Sequence, residues 1–103
     1  MGYKSNGKYK VYTIIETDNY CRDLQKVIDI ARANPEWLNE IITGVRWALT
    51  NNPEKYDTYK DTDLRLAKTA RKNNVPKLHI WFRILIDTNE VVLLNVDMVD
   101  FYL

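Results

Sequence analysis

Apolar and polar residues alternate from Lys77 to Asp87. Leu78, Ile80, Phe82, Ile84 and Ile86 share one parity, and Lys77, His79, Trp81, Arg83 and Leu85 share the other. Side chains alternate across a strand, so this spacing predicts a long β-strand with one face turned to a core. Asp87-Thr88-Asn89-Glu90 reads as a tight turn into a second, antiparallel strand that runs to Asp100. Strict alternation there puts Val92, Leu94, Val96 and Met98 on one face and Val91, Leu93, Asn95 and Asp97 on the other. One face of this hairpin must be core. The second mixes aromatic, basic and acidic groups and is where function is expected.

Upstream, Tyr9 to Glu16 is rich in β-branched and aromatic residues and predicts a first strand. Thr17 or Asp18 then offers an N-cap oxygen to a helix whose apolar stripe is Tyr20, Leu24, Val27, Ile28 and Ala31. Arg22, Lys26, Asp29 and Arg32 fall on its polar side, and Cys21, flanking the stripe, is expected as a small buried filler. Asn34-Pro35-Glu36 restarts a helix, with asparagine as cap, proline at the first position and glutamate at the positive end of the helix dipole. Trp37, Leu38, Ile41, Ile42, Val45, Ala48 and Leu49 mark its apolar stripe, with Trp37 and Trp47 expected as core or core-edge anchors. Asn52-Pro53 ends it, because the residue before proline disfavours helical dihedrals. Residues 54 to 60 read as polar loop. Asp63 to Thr69 predicts a strand with Leu64, Leu66 and Lys68 inward and Arg65 and Ala67 outward, followed by a basic turn containing Arg71 and Lys72.

The predicted order is β-α-α-β-β-β. Neither layer can bury its apolar side alone, so the expectation is an α+β fold: a two-helix hairpin packed on one face of a mainly antiparallel four-stranded sheet. The other face stays at least partly open and carries His79, Trp81, Arg83, Asn95, Asp97 and Arg65. At 103 residues the chain is expected to make a single domain, residues 1–103, with 1–8 a flexible N-terminus.

Composition narrows the function only a little. Apolar content of 46% with 28% charged residues is ordinary for a soluble protein, and no apolar run approaches a membrane span. The N-terminus lacks the apolar centre of a secretory signal, and the lone Cys21 excludes an internal disulfide, so a reduced, cytoplasmic setting is expected. Net charge is +1, but residues 60 to 83 are predominantly basic and residues 84 to 103 carry acids without a base. That contrast fits either an anion-binding surface or internal pairing. A single histidine and no clustered His/Asp/Glu spacing give no metal site and call for no cofactor.

His79-Ile80-Trp81-Phe82-Arg83-Ile84, Asp87, the run Val91 to Val96 and Tyr102, with Asn52-Pro53 and Leu64-Arg65-Leu66-Ala67-Lys68 upstream, form a pattern similar to that of the RelE/ParE toxin superfamily of bacterial toxin–antitoxin systems. The resemblance spans most of the chain through short, apolar-dominated motifs. It implies a toxin that inhibits translation by RNA cleavage or binds a target protein, and that an antitoxin neutralises. For a metal-independent ribonuclease it implies that Arg65 and Lys68 hold the phosphate, Arg83 stabilises the transition state, and Tyr102 is the acid or base. His79 stands where the family often has arginine. Such cleavage needs an activated 2′-hydroxyl, a balanced phosphate charge and a protonated leaving oxygen. Asp97-Met98-Val99-Asp100 departs from the family, which has a basic His-Arg pair there, and carboxylates repel a phosphate. The alternative is a non-catalytic protein-binding module on the same scaffold, using Trp81, Arg83, Asp97 and Asp100, with the basic residues Arg71, Lys72 and Lys77 beside them. On that reading Arg83 pairs with Asp97 or Asn95 across the ladder. The expected partners are an antitoxin, and RNA, the ribosome or a target protein, with no membrane.

Overall fold

The computed structural model describes residues 10–30, 35–70 and 76–99. Several expectations lie outside these residues: the strand start at Tyr9, the N-terminal residues 1–8, Ala31, Arg32, the cap at Asn34, Arg71, Lys72, Asp100 and Tyr102. Within them the order is β1 (Thr13–Glu16), α1 (Asp18–Ile30), α2 (Pro35–Asn51), a 3-10 turn (Pro53–Lys55), β2 (Leu64–Lys68), β3 (Lys77–Leu85) and β4 (Glu90–Val99). The described strands form one mixed sheet in the order β1-β4-β3-β2. β1 runs parallel to β4, whereas β2 and β4 flank β3 antiparallel. The expected α+β architecture is therefore present, with two helices on one face. Among the described residues no helix is long and apolar enough to cross a membrane.

The hairpin of β3 and β4 is the spine of the core. Leu78, Ile80 and Phe82 from β3 meet Val91, Leu93 and Val96 from β4, and all are almost completely buried. Tyr20 and Val27 of α1 and Leu38 and Leu49 of α2 close over them, with Trp37, Ile41, Ile42 and Val45 packed alongside. Losing a ring such as Phe82 here would cost roughly 3–5 kcal/mol.

β4 does not keep one parity. Phe82 faces Leu93 while Trp81 faces Asn95, so Leu94 is an extra residue, a β-bulge. The bulge moves Val96 and Met98 onto the core face with Val91 and Leu93, and turns Val92, Leu94, Asn95 and Asp97 outward. Strict alternation would have misplaced half the strand.

Helix α1 holds this irregularity in place. The Thr17 hydroxyl accepts the Tyr20 N–H at 3.2 Å, capping the helix. The same hydroxyl donates toward the Leu93 and Leu94 carbonyls at 2.8 and 3.1 Å. Asp23, one turn and a half further on, accepts the Val96 N–H at 3.1 Å. A backbone amide that the bulge releases from the ladder thus finds a carboxylate.

Other expectations need correction. Cys21 is exposed and not a core filler, its Sγ pointing toward Glu16 Oε1 at 3.9 Å. Trp47 is 70% exposed and is not a core anchor, although its neighbour Arg46 pairs with Glu16 at 2.6 Å. The β3–β4 turn starts at Ile86, which is 70% exposed, and Asn89 takes a left-handed φ of 53°, which asparagine tolerates well. β3 therefore stops one residue before its alternation does.

Two buried tyrosines make the fold sensitive to alkaline pH. Burial, with the Glu16 carboxylate nearby, pushes the Tyr20 phenol up to about 12, against an opposing pull from Arg46. Burial, with the hydrogen bond to Glu54, pushes Tyr12 up to about 12 as well. The folded state holds these protons more tightly than the unfolded chain, where a phenol titrates near 10. Stability is therefore fully present below about pH 10 and falls as pH rises toward about 12. Urea midpoints measured between pH 8 and 11.5 should fall with pH, and Tyr20→Phe should flatten that fall. An unchanged slope in Tyr20→Phe would contradict the assignment.

Candidate functional site: the open face of the sheet

The face turned away from the helices is ordered in rows that follow the strand pairing. Lys68, His79 and Asp97 form one row, Leu66, Trp81 and the bulge pair Leu94/Asn95 the next, and Leu64, Arg83 and Val92 the third. Trp81 sits at the centre. Its indole Nε1–H donates to Asp97 Oδ2 at 3.2 Å, and the Tyr59 ring meets it edge-on at a centroid distance of 5.1 Å. Tyr59, Leu64, Trp81, Leu94 and Asn95 together line a shallow apolar dish.

β2 has the opposite facing to that expected. Arg65 pairs with Phe82 and Ala67 with Ile80, so both lie on the core face, while Leu64, Leu66 and Lys68 lie outward. A one-residue shift in parity exchanges the two sets, and at a short strand with leucine on one parity and alanine on the other, apolarity alone does not decide. Arg65 is occupied structurally. Its Nη1–H donates to the Tyr56 carbonyl at 2.5 Å and more weakly to Glu54 O at 3.4 Å. Tyr56 in turn packs its ring edge-on against buried Phe82 at 5.8 Å. Tyr12 donates its phenolic proton to the Glu54 side chain in the same corner. Arg65 is thus a fastener for the 3-10 turn and is not on the open face with Lys68.

Arg83 is also partnered differently from the expectation. Its Nε lies 3.1 Å from Asp63 Oδ2, not against Asp97 or Asn95. The N–H is not aimed at that oxygen, so the contact is between charges, and the buried Nε–H has no hydrogen-bond acceptor among the described residues. With both side chains substantially exposed, such a pair contributes between nothing and about 1 kcal/mol. Lys77 starts β3 at the exposed margin of the sheet.

Of the candidate residues, Lys68, His79, Trp81, Arg83 and Asp97 therefore share one face, Arg65 does not, and Arg71, Lys72 and Tyr102 lie outside the described residues. Sequence reading missed Tyr59 and Asp63, because a loop residue shows no periodicity from which its face can be read. His79 and Arg83 are four residues apart, roughly 13 Å along the strand. Trp81 stands between them. The arrangement is an extended surface with an aromatic centre and basic flanks. Groups of three or more potential metal ligands do not occur among the described residues.

No protein-family model matches the sequence, and no curated protein does. Solved structures do match. The toxin–antitoxin complex RelBE2 from Mycobacterium tuberculosis is similar at a TM-score of 0.65 and 22% identity, over 87% of this chain and 93% of that one. The fold is that of the RelE-type toxins. A mutant of the Escherichia coli toxin RelE in its free state aligns at a TM-score of 0.57 and 12% identity, over 87% of this chain and 85% of that one. A conserved hypothetical protein from Helicobacter pylori aligns at 0.53 and 17%, over 84% and 93%. The open face of this chain carries Lys68, His79 and Arg83, with Asp97 and Asp63 set among them.

The two accounts of Arg65 predict opposite outcomes. As a fastener, Arg65→Ala should destabilise the chain by about 1–3 kcal/mol, since the Tyr56 carbonyl loses its donor, and lysine should restore only part of this. Chemical denaturation measures it. Unchanged stability in Arg65→Ala would contradict the structural role.

Proposed function

We propose that this chain is a cytoplasmic toxin of a toxin–antitoxin pair, neutralised by a protein antitoxin, and that it engages its target through the open face centred on Trp81. The observation that carries this is a RelE-type fold whose sheet face, left open by the described residues, presents Trp81 between Arg83 and His79. Trp and Arg are the residue types that most often dominate binding energetics. The similarity to a toxin–antitoxin complex supports the antitoxin partner.

Binding to a target protein is favoured over cleavage of RNA. The cationic groups are spread along the strand instead of converging on one phosphate, Arg65 is engaged elsewhere, and Asp63 and Asp97 oppose an incoming anion. A second reading, RNA cleavage, draws on one observation: Lys68 faces His79 directly across the ladder, placing a cation beside an imidazole.

Induced expression in a bacterium tests the proposal. The wild-type chain should arrest growth, co-expression of its antitoxin should restore it, and Trp81→Ala or Arg83→Ala should weaken target binding about 30-fold, the effect of losing a binding hot spot. Transcripts cut by the wild type but intact with His79→Ala would move the assignment to RNA cleavage. No arrest of growth or translation would overturn the toxin role.

A further inference from the structure

The segment between the 3-10 turn and β2 extends the sheet as a small hairpin. Tyr59 N–H donates to Leu64 O at 2.7 Å, Thr62 N–H donates to Tyr59 O at 3.1 Å, and the Thr62 hydroxyl reaches the same carbonyl at 2.6 Å. Thr58 bridges to Arg65, and Lys60 takes the left-handed turn position at φ 53°. This held backbone sends two side chains onto the open face. The Tyr59 ring meets Trp81, and the Asp63 carboxylate meets Arg83.

Those are the two open-face residues best suited to bind a partner, and both are occupied from within the chain. Neither contact is strong: one is a half-exposed ring pair, the other an exposed ion pair whose N–H misses its acceptor. Both groups are tethered, however, so they compete with an incoming group at an effective concentration on the order of millimolar. The buried Arg83 Nε–H, without an acceptor among the described residues, is a donor that a better-aimed carboxylate could satisfy.

We propose that Tyr59 and Asp63 form a tethered plug, and that the segment displacing them is a peptide of the same chemistry, carrying an aromatic ring followed by a carboxylate. The backbone hairpin stays in place while the two side chains swing aside. A peptide fits better than a nucleic acid because both seats already hold protein side chains, and Asp97, which stays on the Trp81 indole, opposes a phosphate chain. The inference rests on the open face being the working surface, but its test does not use toxicity, so either can fail alone.

The test compares the full wild-type chain with the Tyr59→Ala/Asp63→Asn double variant by NMR, following the Trp81 Nε1–H and Arg83 Nε–H signals. The probe is a synthetic heptapeptide with the sequence of residues 57–63. In the double variant both signals should shift at millimolar peptide, and the wild type should require about tenfold more, because its binding-competent state is only fractionally populated. Equal response of the two proteins, or no response in either, overturns the plug. A shift produced by a single-stranded oligouridylate and not by the peptide overturns the stated partner. If the double variant loses its dispersed amide spectrum, Asp63→Asn alone gives the same comparison at the Arg83 signal.

Discussion

The bulge in β4, and the two side chains that hold it (Thr17 capping α1 and Asp23 within it), set the character of both faces of the sheet. Before the bulge, Val91 and Leu93 face the core; after it, Val96 and Met98 do. A regular strand continuing from Leu93 would place Asn95 and Asp97 beside Ile80 and Leu78. Burying such groups without partners costs several kcal/mol each. The extra residue avoids this, and it leaves backbone groups that must be satisfied elsewhere. Thr17 and Asp23 satisfy them, so the helix is fixed to the sheet at the point where the sheet is irregular.

The functional consequence follows from the same shift. Leu94 and Asn95 both stand opposite Trp81, and Asp97 reaches the indole N–H from the outward side. The open face is thus made by a packing requirement of the core and not only by its own residues. Its charges are mixed: Lys68 and Arg83 lie among Asp63 and Asp97. That mixture suits a specific protein contact more than a long phosphate chain, whose affinity comes mainly from neutralising phosphates. The fold shared with RelE-type toxins does not by itself carry a role, because function resides in sites grafted on folds.

Much of the architecture was legible from periodicity. The Leu78-Ile80-Phe82 alternation, the helical stripes through Val27 and Leu49, and the stop at Asn52-Pro53 each have a local cause and lie where expected. Parity within strands was less secure. In β4 the bulge was foreshadowed, since Val91 and Leu93 share parity with Asn95 and Asp97, a conflict that strict alternation cannot resolve. In β2 no such conflict exists: Arg65 reads as surface, yet its guanidinium spans the sheet edge to the Tyr56 carbonyl. Of the site, Trp81, His79, Arg83 and Lys68 come together, but the roles of Tyr59 and Asp63 depend on how a turn folds back, which no local pattern encodes. Trp47 and Cys21 show the same limit on helices, where a residue beside an apolar stripe is buried only if the neighbouring element reaches it.

The most direct measurement is amide hydrogen exchange at Val96 in the wild type and in Asp23→Ala. If the carboxylate secures the bulge, Val96 exchanges slowly in the wild type, and the variant speeds it by about 5- to 100-fold while Val91 stays protected, as expected for a buried donor losing its acceptor. Equal exchange at Val96 in both proteins would mean that Asp23 does not hold the irregularity, and that something else sets which residues face the open side.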